Sequence, residues 1–285
     1  MEQAQELAAV LDGRMPLNAS GAEAACLLAR RIAALPRGPG PLILGINGAQ
    51  GSGKSTLTHA TVAALARFHG LRAALLSLDD FYRTRAERGE LARAIHPLCA
   101  TRGVPGTHDM ALMEAVLASL AAGGVTAIPV FDKLADDRAP RADWVTFEGV
   151  PDVVLVEGWC VGIRAADLPA WSGPINALEA EADPDGRWFG WSRAALPHGY
   201  EPLWDRFALL VSIEVPDLET VIDSRLRQED GLAAGTARAR MDRAAVTRFV
   251  QHYERYTRAL WPAMRQRADI LFARDRDFGF TLVKE

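Results

Sequence analysis

Six short apolar runs punctuate the chain, at 41–46, 73–78, 126–131, 152–156, 207–215 and 269–273. Each reads as a buried strand, because a run of this length bounded by glycine, proline or charge is too short for a buried helix. Between them, apolar residues recur at helical spacing. Ala25, Leu28, Ile32 and Leu35 form one stripe of a helix predicted over 1–35, which Pro36 and Gly38-Pro39-Gly40 end. Leu57, Val62, Leu65 and Phe68 mark a second helix over 56–69. Further helices are predicted at 85–95, 109–122, 217–230 and 242–267. Apolar strands alternating with helices imply a mostly parallel sheet covered on both faces, an α/β three-layer sandwich. Residues 165–205 break the rhythm. They are rich in proline and glycine and hold Trp171, Trp188, Trp191 and Trp204, four of the seven tryptophans. This stretch reads as an insertion folded over the sheet, with the indoles as packing anchors.

The link between the first strand and the second helix carries the chemistry. Gly48-Ala49-Gln50-Gly51-Ser52-Gly53-Lys54-Ser55 matches G-x-x-x-x-G-K-[ST], with Thr56 opening the helix. Glycines there leave backbone N–H groups free to cradle phosphate oxygens. The lysine reaches the β- and γ-phosphates, and the serine hydroxyl ligates Mg²⁺. The helix N-terminus adds its dipole to the same anion site. The fold expected is therefore of the P-loop NTPase type, with ATP and Mg²⁺ as cofactors. A helical segment over 1–40 precedes a kinase-like domain over 41–285, which carries the insertion and a lid at about 225–243.

Composition narrows the class. At 285 residues, with 49% hydrophobic and 24% charged residues, the chain can bury a large core. A net charge of −4 argues against a nucleic-acid partner. No apolar stretch reaches membrane-spanning length, and no signal peptide is apparent at Met1-Glu2-Gln3. Cys26, Cys99 and Cys160 form no C-x-x-C pair and fit reduced thiols in a cytoplasmic protein. Only three of the 32 basic residues are lysine: Lys54, Lys133 and Lys284. Where arginine has taken nearly every other position, a surviving lysine marks a place that needs a compact ammonium. Lys54 is such a place, Lys133 becomes a candidate, and Lys284 is expected to be idle.

In a parallel sheet, ligands bind at the carboxyl ends of the strands. Four predicted strands deliver chemical groups there: the P-loop, Asp79-Asp80, Asp132-Lys133 and Glu157. One carboxylate beside a P-loop serves Mg²⁺, here assigned to Glu157 with Ser55. A second, Asp79, accepts the acceptor's hydroxyl proton. Asp80 either shares that role or caps the following turn. Asp132 either faces the site or pairs with Lys133 or a neighbouring arginine. The loop Arg102-Gly103-Val104-Pro105-Gly106-Thr107-His108-Asp109 opens a helix, so it either binds a carboxylate or phosphate or is simply a capped turn. Arg225, Arg227, Arg238, Arg240 and Arg243 surround Gly231 and Gly235, as a lid over ATP phosphates or as a solvated helical face.

Several of these segments together resemble the D-glycerate 3-kinase family. They are the P-loop, Leu76-Ser77-Leu78-Asp79-Asp80-Phe81-Tyr82, the Gly-Thr-His-Asp loop, Phe131-Asp132-Lys133 with Asp137-Arg138, and Val156-Glu157-Gly158-Trp159. That family sits among P-loop kinases that include uridine kinase, phosphoribulokinase and bacterial pantothenate kinase. The likeness runs from about residue 40 to 270, through Asn176-Ala177-Leu178-Glu179, Asp185-Gly186-Arg187-Trp188, Arg225-Leu226-Arg227-Gln228-Glu229 and Phe249 to Tyr256. The tail Phe272-Ala273-Arg274-Asp275-Arg276 departs from a Leu-Asp-Glu-x-Arg type of ending. The resemblance implies transfer of the ATP γ-phosphoryl group to D-glycerate. Lys54, Asp79 and Glu157 would be catalytic, and Arg225 and Arg227 would join the P-loop in binding ATP. The small anionic acceptor would be held by Asp80, Tyr82, Arg102, His108, Lys133 and Arg138. Competing readings are a related kinase with a nucleoside, pantothenate or another sugar acid as acceptor, or a non-catalytic ATP-binding regulator. A GTPase is disfavoured, because Asp132-Lys133-Leu134-Ala135 misses [NT]-K-x-D at two positions.

Overall fold

The computed structural model describes residues 1–12, 15–233 and 241–285. Its centre is a six-stranded sheet in the order β10-β9-β8-β1-β7-β2. Strands β2 (Ala73–Ser77), β7 (Val153–Gly158), β1 (Leu42–Gly48), β8 (Phe207–Glu214) and β9 (Ile270–Arg274) run parallel. Only β10 (Phe280–Lys284) is antiparallel, at the edge.

Side-chain alternation sorts the sheet's two faces. Leu44, Ile46, Val153, Leu155, Val211 and Ile213 point to one layer, formed by α1 (Glu2–Leu11), α2 (Ala19–Ala33) and α3 (Lys54–His69). Ile43, Leu76, Val154 and Val156 point to the other. There they meet α5 (Met110–Ala122), α10 (Arg243–Arg267) and two helices of the 165–205 stretch, α7 (Arg187–Ala195) and α8 (Glu201–Trp204), while α6 (Ala177–Ala182) packs on α10. Trp188 and Trp204 are buried in this second layer. Trp171 stacks on Arg255, which forms a buried ion pair with Glu179. The strands and both helical layers match the expected α/β class.

Four local expectations change. The stretch 1–35 holds two helices, and the Asn18 side chain caps the second by accepting from the Gly21 N–H at 2.8 Å. The strand predicted at 126–131 does not join the central sheet. Pro129, with no N–H to give, separates β3 (Val125–Ile128), paired with β6 (Val145–Glu148), from β4 (Phe131–Asp132), paired with β5 (Asp137–Arg138). Lys133 therefore arrives on a hairpin rather than from a sheet strand. Strand β10 was not legible, because its exposed Leu282 and Val283 give no alternating pattern. Lys284 on that strand is not idle. Its ammonium donates to the carbonyls of Gln266 (3.1 Å) and Ala268 (2.6 Å), capping the end of α10.

Among the described residues, no helix is long and apolar enough to cross a membrane. Helix α4 (Arg85–Ala94) starts at a reciprocal Thr84–Glu87 capping box and flanks the β4–β5 hairpin. Of the predicted lid, Gly235, Arg238 and Arg240 lie outside the described residues. Arg225 and Arg227 sit on α9 (Leu218–Ala233), and Arg243 at the start of α10 pairs with Asp223 at 2.9 Å.

Candidate active site

The P-loop follows β1, the strand flanked by both β7 and β8. Its turn needs Gly51 at φ 71° and Gly53 at φ 86°, both left-handed. A Cβ on Gly51 would lie 2.5 Å from the Ser224 side chain, so the loop packs against α9 with no room for a larger residue. Arg274, buried at the end of β9, donates to the carbonyl of Gly51 (2.5 Å) and to the Ser224 hydroxyl (2.7 Å). It ties the loop to α9 from behind.

Parallel pairing sets Glu157 beside Ile46 of β1 and Ser77 of β2. The Ser55 hydroxyl donates to Glu157 Oε1 at 2.9 Å, and Lys54 Nζ lies 3.9 Å from Oε2. Glu157 is 3% exposed, and Oε2 has no hydrogen-bond partner. An orphaned, buried carboxylate oxygen next to a P-loop serine and lysine is a donor set that suits a hard cation such as Mg²⁺. The residues present thus fit the metal that P-loop kinases generally use.

Asp79 and Asp80 sit on the single 3-10 turn after β2 and point apart. Asp79 Oδ2 is 3.1 Å from Lys133 Nζ, and Oδ1 accepts from the Tyr82 hydroxyl at 3.2 Å. Burial opposes its ionisation, but the charges of Lys133 and Lys54, with the Lys133 hydrogen bond, hold it well below the usual carboxylate range. Asp80 Oδ1 accepts from the Phe131 N–H at 3.0 Å, so it braces the base of the hairpin and does not cap its own turn. Burial pushes its carboxyl up to about 6, with Asp79 and Glu157 adding to the rise. Asp132 is a turn residue. Its Oδ1 accepts from the Leu134 and Ala135 N–H groups.

The Gly-Thr-His-Asp loop packs against this turn through a Tyr82–His108 bridge. Two of the candidate acceptor contacts prove to be internal. His108 is buried, stacks on Tyr82 at 4.4 Å and shares Nδ1 with the Tyr200 hydroxyl at 2.8 Å. Burial lowers its pKa to about 3, so it is a neutral wedge and not a cation for an anionic acceptor. Arg138 donates to the Tyr82 carbonyl (2.9 Å) and to Asp109 (3.2 Å). It holds the two loops together.

Arg102, Lys133 and Arg225 line a polar cavity of about 130 Å³, walled also by Lys54, Asp79, Tyr82, Glu157 and Gln50. Each cation there is already paired: Lys133 with Asp79, Arg102 with Asp136, Arg225 with Glu229. On the other side of Gly51 lies a larger, mainly apolar cavity of about 590 Å³, bounded by Leu17, Thr56, Leu57, Arg227, Phe278 and Phe280. Arg225 and Arg227 therefore face different cavities.

Several residues with no site role expected from the sequence also shape the site. Asn47, buried at the end of β1, donates to the carbonyls of Trp159 (3.0 Å) and Val161 (2.9 Å) and anchors the turn after Glu157. A polar residue closing an apolar strand was the available signal. The Tyr253 hydroxyl and the Trp159 indole hold the carbonyls of Arg102 (3.0 Å) and Gly103 (3.2 Å). Neither contact has a local sequence signature.

No family model matches the chain. An uncharacterized kinase of Schizosaccharomyces pombe is 34% identical over 222 residues, covering 75% of this chain and 78% of that protein. The chloroplastic D-glycerate 3-kinase of Arabidopsis thaliana is 28% identical over 235 residues; the match takes in 79% of this chain but only 48% of that enzyme. Among solved structures, a D-glycerate 3-kinase from Cryptococcus neoformans superposes with a TM-score of 0.67 at 27% identity, covering 92% of this chain and 98% of that one. The chain belongs to the P-loop kinase family related to D-glycerate 3-kinase, and is a phosphotransferase with an alcohol group as acceptor.

Proposed function

From that membership, we propose that the chain transfers the γ-phosphoryl group of ATP to the 3-hydroxyl of D-glycerate, giving 3-phosphoglycerate and ADP. The observation that carries this reading is the 130 Å³ cavity where Lys54, Asp79, Glu157, Lys133 and Arg102 converge. Its size suits an acceptor of a few heavy atoms. Its arginines and lysine suit a carboxylate, which Arg102 can grip through two parallel N–H groups.

The residues divide the work. The P-loop amides from Gly48 to Ser55, with Thr56 at the helix start, cradle the phosphates, and Lys54 neutralises the transferring group. The larger apolar cavity receives the nucleoside, with Phe278, Phe280 and Arg227 on its wall. Ser55 and Glu157 would hold Mg²⁺, which supplies charge neutralisation on the phosphoryl oxygens when bound. Asp79, held ionised, orients the acceptor hydroxyl and takes its proton as the new O–P bond forms. The β,γ-bridging oxygen leaves with the electron pair of the broken bond. Little covalent work falls to the protein, because positioning and charge stabilisation supply most of the rate in phosphoryl transfer. Tyr82 lines the cavity with its hydroxyl on Asp79, and Asp80, His108 and Arg138 support this arrangement from behind. The reaction is assigned to the cytoplasm, in keeping with three free cysteines.

An acceptor panel tests the reading. Purified protein with ATP and Mg²⁺ is offered D-glycerate, L-glycerate, uridine, pantothenate and sugar acids, with ADP release as the readout. D-glycerate should give the highest kcat/KM, with 3-phosphoglycerate as product. Preference for another acceptor overturns the substrate assignment, and the absence of any acceptor-dependent ADP release points to a non-catalytic regulator.

A further inference from the structure

Asp136 stands at the tip of the β4–β5 hairpin with φ 54°, a left-handed conformation that glycine adopts freely and that aspartate and asparagine tolerate better than other residues. Asparagine or glycine would sit there with less strain. An aspartate adds charge, and that charge meets two guanidinium groups. Oδ2 lies 3.0 Å from Arg88 Nη2, and Oδ1 bonds Arg102 Nη1. The Asp136 carbonyl also accepts from Arg88 Nη2 at 2.6 Å.

The two arginines differ in kind. Arg88 is 0% exposed, and its remaining bonds go to the carbonyls of Ala100 (2.7 Å) and Arg83 (3.2 Å). It is a fixed anchor, since a buried guanidinium needs a carboxylate partner. Arg102 lines the acceptor cavity. Its main chain is held by Tyr253, and its guanidinium lies over Phe131 at 5.3 Å. Asp136 is the single carboxylate between the anchor and the cavity arginine, three residues beyond Lys133.

We propose that Asp136 is a positioning residue for phosphoryl transfer: anchored on Arg88, it aims Arg102 at the acceptor's anionic group and fixes the hairpin that brings Lys133 to Asp79. The Arg102 half rests on the acceptor reading above; the Lys133 half does not. Two carboxylate oxygens serve two arginines here, so a side chain with one acceptor oxygen can satisfy only one of them. Asp136→Asn keeps the turn preference and one acceptor. Asp136→Gly relieves the backbone strain and removes both.

The chain's three lysines make the test simple. Reductive methylation with ¹³C-formaldehyde keeps each ammonium charged and gives one NMR signal apiece for Lys54, Lys133 and Lys284 beside that of the N-terminal amine, the lysines being assigned by single Lys→Arg variants. In Asp136→Gly the Lys133 signal should move to the position of a free lysine while that of Lys284 stays; Asp136→Asn should lie between. In unmodified enzyme, kcat/KM for D-glycerate should fall by about ten- to a hundredfold, the scale of a lost charge-assisted hydrogen bond, with KM for ATP within about twofold. Adding Asp136→Gly to Arg102→Gln should raise the acceptor KM little further. An unmoved Lys133 signal in a folded Asp136→Gly or Asp136→Asn protein overturns the proposal, as does a loss spread equally over ATP and acceptor. A wild type inactive with D-glycerate but with a responsive Lys133 signal would sink the acceptor reading and leave the hairpin role standing.

Discussion

Lys133 Nζ lies 3.1 Å from Asp79 Oδ2, joining a hairpin to the turn after β2 across 54 residues of chain. The contact has two consequences. It holds Asp79 ionised, and it sets an ammonium on the wall of the polar cavity while leaving Lys133 half-exposed. Asp79 raises the lysine's own pKa in return, against the effect of burial.

Removing that lysine should therefore show in the pH profile. In Lys133→Met, burial regains control of Asp79 and its pKa rises. In the proposed mechanism the working form is the carboxylate, so kcat should fall with decreasing pH earlier than in wild type. Lys133→Arg should lose most activity despite keeping the charge, because a planar fork does not reproduce a point contact. Steady-state kinetics across pH 5 to 9, a range taken to span roughly the usual carboxylate and histidine titrations, decide both. An unshifted acid limb in Lys133→Met contradicts the first, and wild-type kcat/KM in Lys133→Arg contradicts the second.

The two neighbouring aspartates should separate by assay. Asp79→Asn should lower kcat by about 10²–10⁴-fold with little change in the KM for ATP. Asp80 has its pKa raised from 3.8 to about 6, so the folded state binds its proton more tightly than the unfolded chain. Its contribution to stability is full below pH 3.8 and is lost as pH rises through about 6. Asp80→Asn cannot ionise and keeps an acceptor for Phe131. Its Tm relative to wild type should therefore be higher at pH 8 than at pH 4, and a constant difference would refute this.

Two substitutions probe the phosphate side. Lys54→Ala should abolish transfer with an unchanged circular dichroism spectrum. Glu157→Gln removes the charge beside Ser55, so the Mg²⁺ concentration needed for half-maximal rate should rise. A Glu157→Gln enzyme with a wild-type Mg²⁺ dependence would remove Glu157 from the metal site.

Away from the site, Lys284→Met should cost stability and nothing else. Losing a cation that caps the last turn of α10 corresponds to about 0.5–1 kcal/mol. Urea unfolding should show the midpoint falling while kcat and KM stay put. An unchanged midpoint would mean that water replaces the ammonium at no cost.

The sequence by itself determined the parallel strands, the P-loop and the two carboxylates at strand ends, Asp79 and Glu157. These features are local: a glycine spacing, an apolar run, a charge directly after it. It also marked Lys133, through the rarity of lysine in this chain. Tertiary structure decided which candidates face the polar cavity beside the P-loop. His108 and Arg138 turn inward: Tyr200 shares His108 Nδ1, and the Tyr82 carbonyl and Asp109 accept from Arg138 Nη2, partners brought close only by folding. The 126–131 segment lies outside the central sheet, split at Pro129 between two separate antiparallel pairs. The Arg88–Asp136–Arg102 group spans three segments with no shared periodicity, so nothing local announced it. A buried charge finds its partner by proximity in space, and proximity between distant segments is what a linear pattern does not contain.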